Sequence, residues 1–336
     1  MHIKFSVLPL IMFLSAPGFC EEFTFTGDIL LKNQNNVKVA AVSESVPADS
    51  GTAVAPELAY ENYVRAGVWK HSGLKESSSN LSAGFSEAKF QGQRNVCNAF
   101  ATSALAEYLV WRKDNSKPDF SEEFLYYNTK YKFCDTPDLD GYKSDTGLPG
   151  YAVVLALKGG VVKESEWPFL AKLPPHTAVP PLTDPDLGTP PDGIQKKVLD
   201  YSFAPEAVRR SDIKYFLAQE KRPVVVNLML YFGNVNNSTG ELKQPSAEQR
   251  QQCMAKRDNC GGHVVLLTGY DPETKTYIFR NSWGAGWGKS GYGSVSEAYV
   301  MQDCESCGEL TALPGLNDAS RSLMVNAAYG WSAVLK

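Results

Sequence analysis

The sequence predicts an α+β fold, with helices in its first half and antiparallel strands in its second. Two observations carry this. Ala99, Phe100, Ala104, Leu105 and Tyr108 recur at helical spacing behind Cys97. Val264–Leu267 reads as a buried strand closed by Gly269, and Tyr277–Phe279 as a second, antiparallel to it through the turn Asp271-Pro272-Glu273-Thr274.

The elements follow in order. Met1-His2-Ile3-Lys4, an apolar run from Phe5 to Leu14 and Ser15-Ala16-Pro17-Gly18 have the form of a secretory signal peptide over residues 1–20. The run is too short to span a membrane, and Phe19 before Cys20 is a poor lipoprotein signal. Export, and no membrane association after cleavage, are therefore expected. Phe23–Thr26 and Val37–Ala40 alternate around Asn33–Asn36, which predicts a hairpin. A helix is expected near Glu57–Val68, followed by a polar, cleavable linker at Lys75–Asn80. A helical run spans Tyr151–Leu157. Prolines at 174, 175, 180, 181, 185, 190 and 191 mark an irregular connection. A helix at Ser211–Gln219, a strand at Val224–Leu230 and a polar insertion at 232–259 precede the His263 strand.

Composition bounds the function. The 336 residues suffice for one large or two small domains, and 43% hydrophobic with 21% charged residues is ordinary globular content. A net charge of −4 gives no basic footprint, so nucleic acid is not an expected partner.

The chemistry-bearing residues begin with Cys97, placed at the first turn of its helix. The partial positive charge there favours thiolate over thiol. Gln91, six residues earlier, can supply an amide donor to an oxyanion beside the sulfur. Taken alone, Cys97 reads equally well as a small buried core residue. His263 opens its strand behind Gly261-Gly262, and imidazole is the base a thiol nucleophile needs near neutral pH. By itself it also reads as a hydrogen-bonded structural histidine. Asn281, at the end of the next strand, can hold one imidazole nitrogen and aim the other at sulfur. Trp283 and Trp287 can keep water off that bond.

These residues resemble the papain family of cysteine proteases, in its secreted bacterial form. The matching motifs are Gln91…Cys97-x-Ala99-Phe100, Gly262-His263-Val264 and Asn281-Ser282-Trp283-Gly284-x-Gly286-Trp287-Gly288, in the family's order. The resemblance implies a two-lobe fold, helical over about 84–170 and β-rich from about 195, with the active site in the cleft between. It implies Cys97 as nucleophile, His263 as general base and acid, Asn281 as orienter, and Gln91 with the Cys97 N–H as oxyanion hole. It also implies that Gly147 lends backbone to the substrate, with Leu148 and Pro149 on a specificity wall and Gly262 and Trp283 also at the substrate; a plain glycine turn is the competing reading of Gly147. The family usually has Trp where this chain has Asn98, Cys where it has Arg94, and Asp or Asn at Gly262. The separations of 166 residues from Cys97 to His263 and 184 to Asn281 exceed the usual roughly 130–150, which implies insertions.

The resemblance implies a peptidase domain over 84–336, and residues 21–83 lie where such proteases carry an inhibitory prosegment. Protein or peptide substrates, the chain's own prosegment as a partner, a monomeric state and no cofactor or metal are the corresponding expectations. Acyl transfer or amidase chemistry on the same fold, or an inactive peptide-binding homologue, are the alternatives. Export makes Cys20, Cys134, Cys253, Cys260, Cys304 and Cys307 disulfide candidates. By the resemblance, Cys253 and Cys260 are expected to bridge to Cys304 and Cys307, with a four-cysteine zinc site as the competing reading.

Overall fold

The structure is a computed structural model that describes residues 25–32, 38–44, 77–132, 153–154, 156–171, 190–256, 258–301 and 329–335. Strands β1 (Phe25–Lys32) and β2 (Lys38–Glu44) form the expected antiparallel hairpin. The expected signal peptide, the helix near Glu57–Val68 and Cys20, Cys134, Cys304 and Cys307 lie outside the described residues.

Helix α1 (Cys97–Asp114) is the core of the molecule. It is buried on every side from Cys97 to Val110, where the sequence pattern suggested a single apolar face. Alanines at 99, 101, 104 and 106 keep it slim enough to be covered all round. Asn115, left-handed at φ 60°, ends it by donating its N–H to the Trp111 carbonyl. Its N-terminus has neither a side-chain cap nor an acidic residue in the first turn. The positive end of the helix is thus left to the Cys97 sulfur.

Helix α2 (Glu122–Lys132) and the short turns over 156–171 complete the helical side. Phe124, Val162, Trp167 and Ile194 form a second small core there.

The sheet holds β3 (Ser79–Asn80), β4 (Phe203–Arg209), β5 (Val224–Tyr231), β6 (Glu241–Leu242), β7 (Cys260–Asp271), β8 (Thr276–Arg280), β9 (Tyr292–Ser296) and β10 (Tyr329–Leu335). The order is β4-β10-β5-β7-β8-β9-β6, antiparallel throughout except β6 against β9. The strand at 224–230, the turn at 271–275 and the β8 strand lie where the sequence places them. The expected 211–219 helix is present but irregular, three-residue turns of 3₁₀ and α followed by a π turn at Phe216–Glu220.

β7 organises the site. β5 covers one edge from Cys260 to Leu267, and β3 extends that edge at Gly269 and Tyr270. A Cβ on Gly269 would sit 2.6 Å from the Ser79 carbonyl oxygen, so only glycine lets β3 approach. On the other edge β8 pairs from Leu266 to Asp271, and β2 places Val42 opposite Gly262.

The 232–259 insertion is folded. It carries β6 and helix α3 (Ala247–Ala255), the latter with a Ser246/Gln249 capping box. Here one expectation is corrected: Cys253 and Cys260 are joined to each other and not to Cys304 and Cys307. The chain reverses between α3 and β7 and brings their Cα atoms to 5.8 Å, within bonding reach. Each sulfur forms one disulfide, so the four-cysteine zinc reading loses two of its ligands. Closing so short a loop contributes about 2–3 kcal/mol.

Candidate active site

Folding brings Cys97, His263, Asn281 and Gln91 together. The α1 N-terminus abuts β7, and the Val264 N–H donates to Cys97 Sγ at 3.4 Å. The sulfur therefore lies against the residue that follows His263, in a position where a backbone N–H and the helix end both favour its thiolate. His263 Nε2 lies 2.8 Å from Asn281 Oδ1. That bond engages Nε2 and leaves Nδ1 as the other ring nitrogen. Trp283 packs on the imidazole with ring centroids 4.9 Å apart. Gln91, fully buried, is tied to the same loop: Ser282 Oγ donates to its Oε1 at 2.5 Å, and its own N–H bonds the Ser282 carbonyl at 2.8 Å. Its Nε2 donates one of its two hydrogens to the Arg94 carbonyl at 2.6 Å.

The papain family cysteine protease model matches residues 76–312, well over half of the chain. The chain belongs to the papain family. A cysteine protease of Blomia tropicalis is 27% identical over 62% of this chain and 57% of its own length. An uncharacterised peptidase C1-like protein of Acanthamoeba polyphaga mimivirus is 23% identical over 63% and 65%. The matched stretch thus spans less than two thirds of these curated relatives. Among solved structures, xylellain, a cysteine protease from Xylella fastidiosa, superposes with a TM-score of 0.55 at 27% identity, covering 68% of this chain and 82% of its own. Digestive procathepsin L 3 of Tenebrio molitor shares the fold at 16% identity, with a TM-score of 0.53 over 82% and 78%.

This papain family chain replaces two expected features with its own. Arg94 stands where the resemblance leads one to expect a disulfide cysteine, and it forms an ion pair instead. Arg94 meets both carboxylate oxygens of Glu123 on α2 and donates to the Leu170 carbonyl at 3.1 Å. Its guanidinium also lies 4.9 Å over the Phe169 ring. Asn98, in place of Trp, is buried, and its side-chain oxygen accepts from the Ala99 N–H, which also bonds the Val96 carbonyl.

Sequence reading missed a charged cluster near Cys97. Lys89 Nζ bonds Glu107 at 3.0 Å, Glu122 at 2.8 Å and Asp119 at 2.6 Å. A small interior cavity lined by Cys97, Phe100, Ala104 and Glu107 separates this cluster from the sulfur. One ammonium cannot offset the burial of every carboxyl, and Glu122 is pushed up to about 8 by desolvation. A glutamate ten residues after Cys97, in an otherwise uncharged run of its helix, was the available signal. Gly147, Leu148 and Pro149 lie outside the described residues. Gly262 sits on β7 between Met229 of β5 and Val42 of β2.

Burial lowers the His263 pKa to about 4, with the Asn281 bond opposing it. The folded value lies below the unfolded one, so this contribution to stability is complete above pH 6.5 and is lost as pH falls through 4. Glu122 acts with the opposite sign between 4.5 and 8. The difference in urea-unfolding free energy between the wild type and His263→Gln isolates the histidine. That difference should shrink by about 2–3 kcal/mol from pH 7 to pH 4. A difference independent of pH would mean that His263 is not held neutral by the fold.

Proposed function

We propose that the protein is a cysteine peptidase made as an exported, latent precursor. The observation that carries the peptidase reading is the joint placement of Cys97 at a helix N-terminus, against the strand that presents an Asn281-oriented His263. Cys97 Sγ attacks the peptide carbonyl carbon and its proton passes to His263 Nδ1. The resulting oxyanion is held by the Cys97 N–H and the second Gln91 N–H. The imidazolium protonates the leaving amine as the C–N bond breaks, giving a thioester on Cys97. Water, losing a proton to His263, then releases the acid and restores the thiol. The signal-like residues 1–20 support export.

Latency rests on β2. Next to His263, β7 has one edge occupied by β5 and the other by β2, with Val42 opposite Gly262. A substrate reaching for the Gly262 backbone along that edge must displace β2. Ser79 and Asn80 belong to the sheet, and the Leu81 N–H bonds the Thr268 carbonyl at 2.8 Å. Activating cleavage therefore belongs before Ser77, within the first part of the expected linker.

The test compares the chain from Glu21 with the same chain cut between Gly73 and Ser77 on a peptide library. The cut protein should hydrolyse at least about tenfold faster, the equivalent of about 1.4 kcal/mol of strand pairing, and peptide 21–75 should inhibit it. Equal rates before and after cutting would make residues 21–76 an accessory segment. No cleavage by the cut protein would remove the peptidase reading itself, and amine-capped products would favour acyl transfer.

A further inference from the structure

We propose that Asn237, in the folded insertion between β5 and β7, is a positioning residue for the His263 imidazole, acting through Trp287 and Trp283. The inference rests on the assignment of His263 as the working base.

The physical chain begins with a buried donor. Trp287 is only 1% exposed, and its single polar atom must find an acceptor or lose hydrogen-bond energy. Asn237 Oδ1 supplies it at 2.9 Å. One directional bond at the rim of a flat ring fixes how that ring is turned in its slot. Trp287 then meets Trp283 edge to face, with centroids 5.2 Å apart and planes at 86°. Trp283 in turn covers His263 at 4.9 Å. The Trp283 indole nitrogen is buried and has no hydrogen-bond partner among the described residues. Its ring is therefore placed by packing alone, and Trp287 is one of the two rings it packs between.

Asn237 is itself held firmly. Its carbonyl accepts from Gly288 N–H at 3.0 Å, directly after Trp287. Asn236 Oδ1 accepts from the Ser238 and Thr239 N–H groups at 3.0 and 3.1 Å. Gly240 turns the chain at φ +73°, where a Cβ would come within 2.5 Å of the Tyr292 carbonyl oxygen. The insertion thus reaches the imidazole from behind, through two indoles, without touching it.

The consequence is control of water at the His263–Asn281 bond. Burial is the main influence on the imidazole and the Asn281 bond the second. Among the described residues, Cys97 on α1 is the titratable group that meets the strand beside it, at the Val264 N–H, while β5 presents Leu228 opposite and Arg280 of β8 is turned to the Ser86 and Glu87 carbonyls. Loosening Trp287 should let water reach the ring and move its titration upward.

The experiment uses the full chain with Cys97 capped by a methylthio group, so that His263 titrates without thiolate coupling. Protonated imidazole quenches a stacked indole, and the pH midpoint of that quenching reports on His263; Trp283→Phe should abolish it. Asn237→Ala should raise the midpoint by at least about half a pH unit, and Asn237→Asp, which keeps the acceptor oxygen, should restore it. In a Trp287→Phe background, which lacks the donor, Asn237→Ala should add no shift. An unmoved midpoint, or the same shift in both backgrounds, overturns the proposal. If Asn237→Ala does not fold, Asn237→Ser must move the midpoint in the same direction. The readout needs no peptide hydrolysis, so the two failures are told apart: an unmoved midpoint in a chain that cleaves peptides sinks only this inference, and a shifted midpoint in a chain that does not cleave them sinks the peptidase reading and leaves Asn237 only as a support of the ring.

Discussion

Replacing Cys97 with alanine should lower peptide turnover by at least about three orders of magnitude in the trimmed protein, and His263→Ala should do the same. The two groups act as a unit, so the double variant should be little worse than either single one. Asn281→Ala should cost less, because its 2.8 Å bond orients the imidazole without exchanging a proton with substrate. An epoxide alkylator should label Cys97 at pH 6–7 and leave Cys253 and Cys260 untouched, since these are joined in a disulfide. Intact-mass measurement with peptide mapping reads the label. Undiminished hydrolysis by Cys97→Ala protein would sink the thioester mechanism.

The second large effect is on stability. Lys89→Met should destabilise the fold by about 3 kcal/mol, because it leaves Glu107 and Glu122 buried without their ammonium. The sign with pH follows from burial. Glu122 is already pushed up to about 8, and removal of the cation raises it further. A group whose folded pKa is raised loses its stabilising contribution as pH climbs through that value. The variant should therefore fall further behind the wild type at pH 8.5 than at pH 5.5 in urea-unfolding curves. A loss below about 1 kcal/mol at both pH values would place the cluster with ordinary surface ion pairs.

The Arg94–Glu123 pair illustrates how the same fold is stapled differently. A disulfide constrains the unfolded chain, whereas a buried, bidentate ion pair works in the folded state and loses its partner with either side chain. Arg94 ties the approach to the nucleophile both to α2 and to the Leu170 carbonyl. The Gln91 side chain depends on that approach, since its Nε2 bonds the Arg94 carbonyl. The position of the Gln91 amide is therefore coupled to an ion pair on the helical side.

What the sequence determined by itself was the family and the local setting of its candidate residues. The spacing behind Cys97 placed it at a helix start, the apolar run behind Gly261-Gly262 put His263 in a strand, and the glycine- and tryptophan-rich block marked Asn281 with its shields. Those signals are local: helical and strand periodicity, glycine turns and residue type act within a few residues. Tertiary structure alone decided the rest. Glu107 hinted at a buried charge, but nothing in the spacing foretells that Lys89 and Glu122 will close on it, because α1 must first be buried on all sides. The Cys253–Cys260 bond depended on a reversal after α3 that cysteine spacing does not encode. Asn237 looked like one polar residue in a polar insertion until folding laid its amide against the Trp287 indole. In each case the partner lies on another element, and a contact across elements exists only once the core between them has packed.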